Sequence, residues 1–344
     1  MQNTFSPDDR ITLAHGAGGR KTSELIHDIF AKYFKGPRVA TDDAAVVPVI
    51  GSPIAMTTDG FIVSPWRFPG GNIGKLSICG TVNDLACMGA TPRFLTCAFQ
   101  IEEGFPIADL DVIVASMAET CAKAHVDICA GDTKVAGKGQ VDGLFITTTG
   151  IGEILPGIET SGKYAKPGDD ILVSGDIGRH GAAILLARGD YGIDADITSD
   201  CAPLSEPILH MLRATGYHFK DVHTIRDATR GGVGTVLHEI ASDSHVGIEI
   251  NEPDIPVDPA VAGLTGLLGL SPLYLACEGR VVIICDPRVT PDVIQALQQH
   301  ENTKGIKRIG TVTDNHAGHV MLKTEIGTEV LLPEPTGELL PRIC

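Results

Sequence analysis

Apolar positions along the chain switch repeatedly between the two-residue alternation of strands and the three-to-four-residue spacing of helices. In the first half, helical spacing over Lys21–Tyr33 gives way to β-type runs at Val39–Val49 and Ile54–Thr58. A helix fits Asn72–Gly89, with Gly70-Gly71 ahead of it and Gly89-Ala90-Thr91-Pro92 as its stop. Ile73, Leu76, Gly80 and Leu85 give that helix an apolar or small inward face. The strand Phe94–Ile101 and the amphipathic helix Ile107–Ala124 follow. The strand Val126–Ala130 then ends in Gly131-Asp132-Thr133-Lys134, and Leu144–Ile154 is a further long strand. A polar bridge punctuated by Pro156, Gly157, Pro167 and Gly168 marks a domain boundary near 155. Beyond it, strands are expected at Ile171–Ser174, Val222–Ile225 and Val281–Cys285, with closing strands between Lys307 and Leu332. Helices are expected at Gly181–Arg188, Leu204–Ala214, Thr235–Ala241 and Pro291–His300. Such an order is α+β in two domains, not a series of Rossmann units.

The 344 residues suffice for two ordinary cores. A net charge of −16 and a pI near 5.1 argue against nucleic acid or an anionic membrane surface as partner. Met1–Arg10 has no apolar signal region, and Thr265, Ser271 and Pro272 break the longest apolar stretch, so a cytoplasmic protein is expected. The nine cysteines form no C-x-x-C pair, which disfavours a zinc cage or a disulfide framework. Cys97, Cys129 and Cys285 sit in apolar strands and read as small core residues.

Several segments suit anion and metal chemistry. His15-Gly16-Ala17-Gly18-Gly19 can approach a ligand closely, although neither the Rossmann nor the Walker A spacing is present. Arg226-Asp227-Ala228-Thr229-Arg230-Gly231-Gly232 precedes a helix, as an anion site would. Asp42, Asp43 and Asp59 lie in or beside strand-type runs, where the ordinary reading is a turn residue. Asp84 falls late in its helix, opposing the dipole, and so asks for a compensating cation. Carboxylates without His or Cys companions suit Mg²⁺, which needs few protein ligands beside phosphate oxygens.

The segment Pro333–Cys344 carries Pro335, Gly337 and Pro341 and favours an extended, flexible arm; at ~3.3–3.6 Å per residue it reaches roughly 40 Å. Read alone, it is a frayed terminus that ends in cysteine.

Asp42-Asp43-Ala44-Ala45-Val46, Thr57-Thr58-Asp59-Gly60, Asn83-Asp84-Leu85-Ala86-Cys87-Met88-Gly89-Ala90 and Pro167-Gly168-Asp169 resemble the PurM (aminoimidazole ribonucleotide synthetase) superfamily. The His15–Gly19 loop, Phe68–Leu76, Gly131–Lys134, Arg226–Gly232 and above all Pro341-Arg342-Ile343-Cys344 resemble its HypE hydrogenase-maturation branch, over essentially the whole chain. The resemblance implies a PurM-like α+β fold in which a mixed-sheet N-terminal domain dimerises. Its parts would be an ATP-covering segment at 1–37, an ATP-binding domain at 38–155, a C-terminal α+β domain at 156–332 and the tail at 333–344. It implies that a HypF carbamoyltransferase loads Cys344, and that ATP then drives dehydration of the S-carboxamide to a thiocyanate. The cyanide passes to a HypC–HypD scaffold for [NiFe]-hydrogenase. By the same resemblance Asp43, Asp59, Asp84 and Asp227 hold Mg²⁺. His15, Gly16, Gly18, Gly19, Asn83, Asp132, Thr133, Arg230 and Gly231 contact ATP. Lys134 and Glu278 polarise and deprotonate the carboxamide; by themselves they read as a solvated loop lysine and a turn acid.

Two other readings compete: a small-molecule kinase or synthetase of the same superfamily with an incidental Cys344, and a non-catalytic carrier. The thiol should also be a modest nucleophile in isolation, since its own carboxylate raises its pKa, and should become activated only when docked.

Overall fold

The computed structural model describes residues 9–12, 15, 25–34, 53–334 and 343–344. The expected run Val39–Val49, Asp42, Asp43, Gly16, Gly18, Gly19 and Arg342 lie outside the described residues.

The first half comprises β1 (Ile54–Phe61), the short pair β2 (Arg67–Phe68) and β3 (Gly71–Asn72), α1 (Ile73–Cys87), β4 (Ala90–Glu102), α2 (Ile107–Ala124), β5 (Asp127–Ala136) and β6 (Leu144–Ile154). Its main sheet has the order β1-β6-β4-β5, antiparallel except for the β4–β5 pair that α2 connects. Asn72 caps α1 by accepting from the N–H groups of Gly74 (2.9 Å) and Lys75 (3.1 Å). This helix is buried nearly all round instead of on the single face its pattern suggested, because it lies between the sheet and the second half of the chain. At its end Gly89 takes φ +69°, where an added Cβ would stand 2.2 Å from Ile158. Strand β5 does not stop at Ala130. Gly131 lets it close on β4, since a Cβ there would sit 2.8 Å from the Cys97 carbonyl, and pairing runs on to Ala136. The segment Gly131–Lys134, where the strand was expected to end, is therefore itself strand.

The second half comprises β7 (Asp170–Val173), α3 (Arg179–Arg188), α4 (Ser205–Ala214), β8 (Val222–Asp227), α5 (Gly232–Ser244), β9 (Gly247–Asn251), α6 (Pro259–Leu268), β10 (Val281–Cys285), α7 (Thr290–Leu297), β11 (Lys307–Thr313), β12 (Val320–Lys323) and β13 (Glu329–Leu331). Its sheet runs β13-β12-β9-β11-β7-β10-β8, with the fully buried β7 and β10 inside. The pattern did not call for β9 or α6. The α6 helix survives Gly263 and Gly266 because Asp258 caps it at Ala260 (2.8 Å), Pro259 starts it, and Val261 and Leu264 are buried. No helix among the described residues is long and apolar enough to cross a membrane. The two halves meet where Ala86, Cys87 and Ile158 pack on Leu204, Ile208, Val222 and Ile225. That contact sets the end of α1 against the end of β8.

Candidate active site

The junction gathers acids that lie far apart in sequence. Asp59 on β1 accepts from the Thr81 hydroxyl (2.9 Å), and Asp84 on α1 accepts from the Thr57 hydroxyl (2.8 Å). Asp227, at the end of β8, hydrogen-bonds to Asp84. Loss of water raises all three pKa values, and mutual repulsion raises those of Asp59 and Asp227 further: Asp59 goes to about 6 and Asp227 to about 7. The cation that Asp84 asked for is supplied only in part, by the neighbouring Arg226 guanidinium, whose own partner is Glu239 (2.7 Å). Among the described residues no group of three or more ligating side chains is close enough to hold a metal unaided.

Glu278 is 2 % exposed, and its Oε1 finds no hydrogen-bond partner among the described residues. Burial pushes its pKa well above the carboxylate range, and Cys201, Asp227, Asp200 and Asp59 add to the shift. Its position is fixed through the main chain: its N–H donates to Asp200 Oδ1 (3.2 Å), and its carbonyl accepts from Ala202 N–H (3.3 Å). Asp200, buried, with Oδ2 lacking a hydrogen bond among the described residues and 3.9 Å from Arg280 Nε, was not singled out by the sequence; a lone aspartate in a loop carries no spacing signal.

Into this setting comes Cys344. Arg230 Nη2 lies 3.6 Å from its sulfur, Ile62 N–H donates to its main-chain oxygen (3.0 Å), and Ile343 is buried in the first-half core. Burial first, then Glu278 and Asp59, lift the thiol to about 11, with Arg230 only partly opposing them. This arrangement within one chain does not itself activate the thiol. Two acids and the loss of water outweigh one guanidinium, and the docked sulfur is held as a thiol.

Other expected residues stand elsewhere or serve the chain itself. Both ends of the Asn83 amide are engaged internally, donating to the Ala202 carbonyl (3.1 Å) and accepting from Leu204 N–H (2.7 Å). His15 is buried, with Nδ1 bound to Thr12 N–H and hydroxyl. Gly231 caps α5 with φ +82°, where a Cβ would meet the Thr235 hydroxyl at 2.4 Å. Asp132, Thr133 and Lys134 lie on the exposed edge strand β5, where Lys134 pairs with Asp132 (3.0 Å). Strands β4 and β6 separate β5 from β1, a gap of roughly 14 Å. One chain does not bring Lys134 to Glu278.

Residues 41–154 match the family described as AIR synthase related protein, N-terminal domain, and residues 166–323 match its C-terminal domain. Fold and site thus define a two-domain AIR-synthase-related protein. Carbamoyl dehydratase HypE of Rhodobacter capsulatus is 42% identical over 98% of this chain and 99% of its own length. A crystal structure of HypE in complex with ATP matches with TM-score 0.92 and 41% identity, covering 97% of this chain and 99% of that one. A chain of a HypE–HypF complex matches with TM-score 0.79 and 44% identity, covering 90% and 99% respectively. The chain belongs to the carbamoyl dehydratase HypE family.

Proposed function

We propose that this protein uses ATP to dehydrate an S-carboxamide on Cys344 to a thiocyanate. The observation that carries the reading is the Cys344 sulfur lying beside Arg230 in the field of Glu278 and Asp59. A freely solvated cysteine would need no such surroundings. Similarity to a HypE chain seen with ATP supports the nucleotide, and similarity to a HypE–HypF complex supports HypF as the partner that carbamoylates Cys344.

The chemistry needs two things: a better leaving group than oxide, and removal of both N–H protons. The carboxamide oxygen attacks the γ-phosphorus of ATP, releasing ADP and leaving an O-phosphorylated imidate as one N–H proton departs. Loss of the second proton expels phosphate and forms the C≡N bond. Glu278 contributes to the field at the Cys344 sulfur and is the carboxyl we assign to these transfers; burial favours its protonated form, so it must give up its own proton before it accepts one from the carboxamide. Arg230 faces the sulfur and can stabilise charge on the transferred phosphoryl group.

Asp59, Asp84 and Asp227 fit a hard divalent cation: they are oxygen donors only, set close enough to repel, and a cation would relieve that repulsion. Bound there, Mg²⁺ would screen the phosphate charge. Lys134 would enter from a second copy. Among the described residues β1 and β5 are the two edges of this sheet, and β1 leaves Ile54 and Met56 exposed at 51 % and 67 %. Pairing of such edges in a homodimer would carry Lys134 of one copy towards the acids of the other. We assign ATP contacts to His15, Asp132, Thr133 and Gly231 on the resemblance, place the reaction in the cytoplasm, and take the HypC–HypD scaffold as the acceptor of cyanide.

Intact-protein mass spectrometry tests the whole. With HypF, carbamoyl phosphate and ATP, the protein gains one carbamoyl group and then loses one water, whereas Cys344→Ala gains nothing. Carbamoylation of Cys344→Ala would sink the assignment.

A further inference from the structure

The main-chain carbonyl of Ile343, one residue before the reactive thiol, meets a side chain that none of the site chemistry uses. His180 Nε2 lies 2.8 Å from that oxygen, and the other ring nitrogen, Nδ1, lies 2.8 Å from Ser199 Oγ. His180 has no exposed surface. A carbonyl only accepts, so Nε2 must carry the hydrogen. Burial lowers the His180 pKa and favours the neutral ring, leaving Nδ1 as an acceptor that takes the Ser199 hydroxyl proton. Ser199 is free to give it: its oxygen already accepts from Cys201 N–H (3.1 Å), and its N–H is fixed on the Pro69 carbonyl (2.9 Å). The Phe68 ring stands edge-on to the imidazole, with centroids 5.2 Å apart, and sets its plane.

The ring is also fixed relative to the acid. His180 opens α3, whose start is tied to the segment carrying Glu278 by Gly181 N–H on the Ala276 carbonyl (2.9 Å) and Gly178 N–H on Cys277 Sγ (3.1 Å). An added Cβ on Gly181 would meet Leu275 Cβ at 3.0 Å, so this approach needs glycine.

We infer that His180, held in one tautomer by Ser199, is a positioning residue that grips the Ile343 carbonyl and so sets where the Cys344 sulfur stands against Glu278. The grip reads main chain, not side chain, and with Ile62 N–H on the main-chain oxygen of Cys344 it pins the residue from both sides. Its catalytic consequence rests on the dehydratase reading; the grip itself does not.

The test is iodoacetamide labelling of Cys344 in the full chain at about pH 8, with no nucleotide or carbamoyl donor, read on the peptide containing Cys344. The other eight cysteines are buried and stay silent in the folded protein. His180→Leu removes the donor and should label about tenfold faster than wild type. His180→Gln keeps an N–H in place of Nε2–H and should restore most of the protection. Ser199→Ala releases the tautomer and should fall between. Wild-type labelling in a His180→Leu protein with an unchanged melting temperature overturns the inference. So does equal acceleration in the Leu and Gln variants, which would make the ring a packing element. If His180→Leu does not fold, Ser199→Ala decides, and an unchanged rate there counts against the grip. Should wild type form no thiocyanate while the labelling pattern holds, the dehydratase reading fails and the grip stands.

Discussion

The two edges of the N-terminal sheet have opposite surroundings. Strand β1 lies along α1 and points Thr57 and Asp59 towards the junction, where their oxygens are hydrogen-bonded and the carboxyl has lost water. Strand β5, across β6 and β4, points Asp132 and Lys134 into solvent, where they pair with each other. The resemblance assigns both edges to one reaction. A single chain assembles the acid half of that site, with the thiol in it, and leaves the lysine half outside. Function therefore requires either that a second copy supplies β5 or that Lys134 has no part in the chemistry.

The largest expected effect tests the assembled half. Glu278→Gln should keep carbamoylation of Cys344 but slow dehydration by ~10²–10⁴, the range for removing a general base, so the carboxamide mass accumulates. The substitution exchanges a buried acid for a buried amide of the same shape, so folding is retained. A Glu278→Gln protein that loses water at the wild-type rate would remove Glu278 as the base.

Next in size is the thiol. Its docked pKa of about 11 exceeds the free value of 9.0, so the docked state binds the proton more tightly. Docking is therefore fully favoured below the free value and weakens as pH rises towards about 11. At neutral pH the docked sulfur should carry about a hundredfold less thiolate than the unfolded chain, a two-unit difference. Alkylation of native against urea-unfolded protein across pH 7–11 measures this. Equal rates at neutral pH would mean that the sulfur is not held in the acid field.

How much of this was open to the sequence depends on whether a feature is local. The helix Ile107–Ala124 and the strands Leu144–Ile154 and Val281–Cys285 have bounds that match their periodicity, because burial on one face or on both leaves a pattern within a few residues. Asp84 was suspicious for a local reason too, its place late in a helix. Strand β5 was cut short because Gly-Asp-Thr-Lys is turn chemistry locally, and only pairing with Cys97–Glu102 overrides it. Residue type suggested Asp59, Asp84 and Asp227 as acids for a hard cation, but periodicity did not bring them together, and only the family resemblance added Glu278. The His180–Ser199 contact was invisible, since a single buried histidine has no spacing.

The smallest effect is the one that decides between the two edges. Lys134→Ala and Glu278→Gln proteins should each be poor dehydratases alone. Mixed and allowed to exchange subunits, they form heterodimers in which one site combines the intact Glu278 of one chain with the intact Lys134 of the other. Random pairing makes half of the dimers mixed, and one of the two sites in each is whole. The mixture should then recover roughly a quarter of wild-type activity if sites are shared across a two-fold interface. If Lys134 serves its own chain, every site in the mixture lacks one group, and no activity returns. If Lys134→Ala is fully active by itself, strand β5 contributes structure alone, and the acids on the β1 side carry the reaction without it.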